Sequence, residues 1–70
     1  MIKKEDIFIT KHAQEKMHIE GISFAQVTEA LERGSKFQQT EGILTKYSYF
    51  SVAYRIEDEK YIIKTVFLNR

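Results

Sequence analysis

Around Gly34 the spacing of apolar residues changes period. Before it, Phe24, Val27, Ala30 and Leu31 recur every three or four positions, the spacing of one helix face. After it, KFQQTE, ILTKYSYFSVAYRIE and KYIIKTVFLNR tend to alternate and are richer in β-branched and aromatic side chains. The chain is therefore expected to make helices first and a sheet afterwards. With 70 residues, it has room for a single domain with one core and one shallow site, since a chain this short buries only about 60 % of its unfolded surface.

Two helices are marked by their ends. Lys11 to Glu20 contains no glycine or proline, with Ala13, Met17 and Glu20 on one face and His12, Lys16 and Ile19 on the adjacent one. Thr10 is placed as its N-cap and Gly21 as the left-handed residue that closes it. Ser23 and Gln26 form the S-x-x-Q capping box of a second helix, with Ile22 and Val27 spaced as a hydrophobic staple and Gly34 as the C-terminal cap. The short connection folds the pair into an αα-hairpin.

Strands are expected at Ser35 to Thr40, Leu44 to Tyr49, Ser51 to Ile56 and Tyr61 to Leu68. Turns are expected at Glu41-Gly42, near Tyr49 to Ser51, and at Glu57-Asp58-Glu59. The layout is ααββββ: one α+β domain over residues 1–70, two N-terminal helices packed on a four-stranded antiparallel sheet. The last strand, apolar except at Lys64 and Thr65, is expected inside the sheet. Val52, Tyr54 and Ile56 share one face and Arg55 takes the other, while the last strand is apolar in both of its alternating sets and does not reveal its faces.

Composition narrows the chemistry. With no cysteine there is no disulfide framework, thiolate metal site or cysteine nucleophile. Hydrophobic content of 43% and charged content of 30% without proline suit a folded domain. MIKKEDIFITKH holds no apolar run of signal-peptide or membrane-span length, which makes the cytoplasm the default expectation. Eleven basic and ten acidic side chains nearly cancel, so nucleic-acid binding needs a local patch: Lys3, Lys4 and Lys11, or Arg55, Lys60, Lys64 and Arg70.

His12 is the general acid or base in the most suggestive position. It stands in the first turn of a helix, where the positive end of the dipole suits the neutral imidazole that a base requires, and Lys16 follows one turn later. His18 is six residues on and faces away. The histidines lack the i, i+4 spacing of a metal pair, no carboxylate cluster accompanies them, and there is no phosphate loop or nucleophile elbow, so neither metal nor cofactor is expected. Attack of an RNA 2′-hydroxyl on the adjacent phosphate needs no metal, only a base, an acid and cations. His12, Lys16 and Arg55 are the catalytic candidates; Lys64, Tyr47, Tyr49 and Tyr54 are the substrate-binding candidates, the tyrosines as stacking platforms on an open sheet face.

T-x-H-A-x-x-K-M-x-x-x-G-I-S, residues 10 to 23, with the helix and glycine that follow, resembles the S/T-x-H-A-x-x-R-M-x-x-R-G-I-S opening of a small bacterial and archaeal family, domain of unknown function 4258. VAYRIE and YIIKTVF extend the likeness in outline. That family looks related to the RelE, ParE and BrnT toxins of toxin-antitoxin systems, many of them metal-independent ribonucleases with two helices on a four-stranded antiparallel sheet. By position, His12 and Ala13 match the family's histidine and alanine, Lys16 stands for its first arginine, and Glu20 replaces its second.

The resemblance implies a toxin-type endoribonuclease that acts on RNA and is covered by an antitoxin on its open sheet face. The alternative is a non-catalytic protein-interaction module. That module would present an exposed apolar patch such as Phe37, Tyr47, Tyr49 and Phe50.

Overall fold

The computed structural model describes residues 2–69. After a single 3-10 turn at Lys4–Asp6 the chain runs through β1 (Ile7–Ile9), α1 (Lys11–Glu20), α2 (Phe24–Arg33), β2 (Ser35–Gln39), β3 (Gly42–Tyr47), β4 (Phe50–Glu57) and β5 (Lys60–Leu68). The strands form one sheet in the order β1-β5-β4-β3-β2, antiparallel except where β1 runs parallel to β5.

This corrects the expected fold. The domain is α+β, but its sheet is five-stranded and mixed, not four-stranded and antiparallel, and both helices follow the first strand instead of leading the chain. Ile7-Phe8-Ile9 is too short to show alternation, and its partner Tyr61-Ile62-Ile63 comes from the far end of the chain, so no local signal announces it. The added strand gives β5 a neighbour on each side, which accounts for its nearly continuous apolar composition.

A β-bulge decides how β5 faces. Ala53 pairs with Thr65 and Tyr54 with Ile63, leaving Lys64 as the extra residue. Ile63 and Val66 are therefore both fully buried in the core although three positions apart, and Lys64 and Thr65 between them are turned to the opposite face. In a regular strand one of the two apolar side chains would have left the core.

The helices form where their ends are satisfied. The Thr10 hydroxyl accepts from the Ala13 amide at 3.2 Å and donates to the Ile63 carbonyl at 2.7 Å, so one side chain caps α1 and ties it to β5 beside the bulge. Gly21, at φ 71°, closes α1 in the left-handed region, and the Ile22 amide returns to the Met17 carbonyl at 2.9 Å. Ser23 and Gln26 complete the capping box of α2. Gly34 caps α2 in an extended conformation, and glycine is needed there for space. A β-carbon would land on the Thr45 hydroxyl and on the carbonyl oxygens of Ala30 and Lys46.

Both helices lie on one face of the sheet. Val27, Ala30 and Leu31 of α2, Ala13 of α1 and Ile22 between them close over Phe50, Val52, Tyr54, Ile63 and Val66. Each large apolar side chain buried this way contributes roughly 1.5–3 kcal/mol. Thr45 is also buried there, its hydroxyl donating to the Ala30 carbonyl at 2.8 Å. The hairpins turn at Thr40-Glu41, Ser48-Tyr49 and Asp58-Glu59; Asp58 and Glu59, at φ 50° and 64°, have the two positive dihedrals that a type I′ hairpin turn requires.

Candidate functional site

No helix covers the second face of the sheet, and its strands present a mixed apolar and basic surface. Register places Phe37, Leu44, Ala53 and Thr65 in one row, Lys46, Ser51 and Phe67 in the next, and Arg55, Ile62 and Phe8 in a third. Phe8, Phe37 and Phe67 are 57%, 46% and 37% exposed. Lys46 holds its ammonium 5.3 Å from the centre of the Phe37 ring, a cation–π contact that leaves the charge in solvent.

The other cations of this face have different partners. Arg55 Nε donates to Glu57 at 2.7 Å, both side chains being half-exposed, and Lys60 at the rim meets Asp6 at 3.3 Å. Lys64 crosses the sheet and donates to the backbone carbonyl of Glu41 at 3.2 Å. There it walls a cavity of about 290 Å³ between the β2–β3 turn and β4, lined by Gln39, Thr40, Glu41, Gly42, Ile43, Ala53, Tyr54 and Lys64.

The sequence-derived site residues divide between the two sides. His12 and Lys16 belong to α1, which packs on the core face of β5 beside Ala13. His12 is exposed, and Lys16 is paired with Glu20 at 3.2 Å. Arg55 and Lys64 are on the opposite face, so the structure does not bring them to His12. Arg70, grouped with that basic cluster, lies outside the described residues.

The tyrosines do not stand on the open face. Tyr54 is buried under the helices, where burial, and after it the neighbouring Tyr61, pushes the phenol above its usual pKa. Tyr47 packs partly against the core with its ring edge-on to Phe50. Tyr49, at the hairpin tip, accepts from the Gln26 amide at 2.9 Å on the helix side. Phe50 is itself buried, so of the apolar patch expected for an interaction module it is Phe37 that belongs to the open face.

Sequence reasoning missed Lys46, Phe67 and Phe8 as members of this surface. Lys46 and Phe67 had a usable signal, because each alternates with a core residue, Thr45 and Val66, but the phase of β5 is set by the bulge. Phe8 had none without β1.

Residues 9–68 match the model of a family described as Domain of unknown function (DUF4258). The chain belongs to that family. No curated protein and no solved structure matches it. In this DUF4258 domain the match opens at the last residue of β1 and closes at the last residue of β5, so it spans both helices and four complete strands. Within the T-x-H-A-x-x-K-M-x-x-x-G-I-S string, Thr10, Ala13, Gly21, Ile22 and Ser23 cap, close or bury the helices, and Met17 packs against the core. His12 has no such task and is exposed. Among the described residues no three histidine, aspartate or glutamate side chains converge to hold a metal ion, and no helix is long and apolar enough to cross a membrane.

Proposed function

We propose that this DUF4258 domain binds single-stranded RNA on its open sheet face. The observation that supports this is one uncovered surface on which exposed phenylalanines stand among Lys46, Arg55 and Lys64. Aromatic rings on a sheet offer stacking platforms that accept any base, and cations beside them meet the phosphates. Glu57 is the carboxylate at a strand position of this face among the described residues, and it is engaged by Arg55.

A toxin-type role belongs to the same proposal, with an antitoxin covering this face when the protein is held inactive. RNA cleavage is its stronger form, in which His12 acts as base or acid with Lys16 beside it. Since His12 and Arg55 lie on opposite sides of the sheet, the geometry supports binding ahead of cleavage.

One experiment separates the two. Short single-stranded RNA is titrated with the protein, with its Phe37→Ala/Phe67→Ala variant and with His12→Ala, in excess chelator and across a salt series, and the RNA ends are then analysed. Binding that weakens with salt and is lost in the double variant is the expected result. Cyclic phosphate ends formed by the wild type and not by His12→Ala would establish cleavage. Salt-independent or absent retention would move the open face to a protein partner, for which its exposed phenylalanines are equally suited.

A further inference from the structure

The cavity at the bulge is an odd feature on a sheet face, and three independent properties of its wall point to one ligand chemistry. Its floor is low because Gly42 and Ala53 carry little or no side chain, whereas Leu44 beside Ala53 and Ile62 in the next row are large. Its wall is Lys64, the extra residue of the bulge, which stands on the open face together with Thr65. The β2–β3 turn, to which the Lys64 ammonium is bonded, and the adjoining end of β2 bring Thr40 and Gln39, a hydroxyl and an amide residue, to the same cavity.

The charge of Lys64 is the third property. Arg55, Lys60 and Lys16 each meet a carboxylate, and Lys46 lies over a ring. Lys64 donates to a neutral backbone carbonyl, which uses one of its three ammonium protons and cancels none of its charge. An oxyanion entering the cavity would meet an ammonium already held in place, so little side-chain freedom is lost on binding. The space, about 290 Å³, is close to the ~300 Å³ at the lower end of small-molecule sites. It has room for a phosphate with the sugar attached to it.

We propose that this notch is a phosphate subsite, holding the phosphate of one nucleotide unit with Lys64 as its cation. It deepens the RNA-binding proposal, on which its biological meaning rests, by fixing where the strand's backbone crosses the face. Glu41 lies at the same cavity and opposes an anion, so its carboxylate limits affinity and favours a ligand that enters with its phosphate against Lys64.

The test is a titration of isotope-labelled protein with adenosine monophosphate, inorganic phosphate and adenosine, followed by amide chemical shifts, in the wild type and in Lys64→Met, Ala53→Leu and Glu41→Gln. Lys64→Met keeps the side-chain stem, and Ala53→Leu fills the notch without touching charge. The nucleotide and phosphate should shift residues 39–42, 53–54 and 64–65, whereas adenosine should not. Lys64→Met should weaken the nucleotide about tenfold, the usual scale for a charged hydrogen bond, Ala53→Leu should weaken it by filling the space it occupies, and Glu41→Gln should tighten it.

Single-stranded RNA is titrated into the same four proteins, and Lys64→Met should lower the salt slope by about one. Equal nucleotide affinity in wild type and Lys64→Met, equal binding of adenosine, or no shift at these amides at millimolar phosphate would overturn the subsite. RNA binding with an unchanged slope in Lys64→Met overturns it while leaving RNA recognition by the face intact. Phosphate binding that depends on Lys64 in a protein that does not retain RNA supports the subsite and removes the RNA proposal.

Discussion

The two faces of the sheet are made from the same strands and have opposite economies. On the covered face the polar atoms near the core are satisfied within the chain: Thr45 donates to Ala30, and Thr10 bridges Ala13 and Ile63. On the open face three phenylalanines are more than a third exposed, and Lys46 and Lys64 have no carboxylate partner among the described residues. Folding accounts for the first face. It does not account for the second, since exposing apolar surface beside cations contributes nothing to the stability of an isolated domain, and the second face is therefore where binding is to be sought.

The comparison breaks first if the covered face is not what holds the fold. A domain of this length has on the order of 4–10 kcal/mol of stability. Ile63→Ala empties a fully buried position beside the start of α1 and should cost about 3 kcal/mol. Denaturant unfolding should show a large fall in midpoint, or a chain already partly unfolded. Gly34→Ala, which forces a methyl group against Thr45 and two carbonyl oxygens, should cost about 2 kcal/mol in the same measurement. A neutral result there would mean that α2 can move away from β3 at little cost.

Thr10→Val sharpens the picture on the α1 side. It deletes the hydroxyl that caps the helix and holds the Ile63 carbonyl, and should cost about 1–2 kcal/mol. Native-state hydrogen exchange should then be faster at the start of α1 than in α2. Phe37→Ala and Phe67→Ala on the open face should each change stability by no more than about 0.5 kcal/mol. A loss of several kcal/mol in either would show that the open face is covered in solution, and sedimentation would reveal by what.

The smallest expected effect is a pH dependence on the covered side. Tyr54 has its pKa raised by burial and then by Tyr61, so the folded state holds that proton more tightly than the unfolded chain. Its contribution to stability is complete below about pH 10, the unfolded tyrosine value, and is lost as the pH rises through the folded one. Tyr54→Phe cannot ionise and should flatten the alkaline limb of a midpoint-against-pH curve. An unchanged limb would assign that loss to other groups.

The candidate site was legible in parts that depended on neighbours in the chain. Arg55 could be placed opposite Tyr54 by alternation, because β4 stays regular from Tyr54 onward. Tyr47 and Tyr49 were grouped with Tyr54 by residue type, yet their positions depend on where the hairpin turns and on what α2 reaches. His12 stands exposed at the start of α1, but no local pattern could say that the cations of β4 and β5 lie on the other side of the sheet.

The turns at Thr40-Glu41 and Ser48-Tyr49 fall earlier than the expected Glu41-Gly42 and Tyr49 to Ser51, but the sequence by itself determined the helix ends, the Asp58-Glu59 turn and the succession of strands from β2 to β5. Each of these is specified within four or five residues: a hydroxyl three positions from its amide, a glycine free to turn left-handed, or an alternation with period two. Tertiary structure alone decided that Ile7–Ile9 joins β5, that a bulge puts Ile63 and Val66 on one side and Lys64 on the other, and which aromatic rings are buried. The first comes from pairing between opposite ends of the chain, the others from register and packing across the sheet. Their energy resides in contacts that exist only once the sheet has closed.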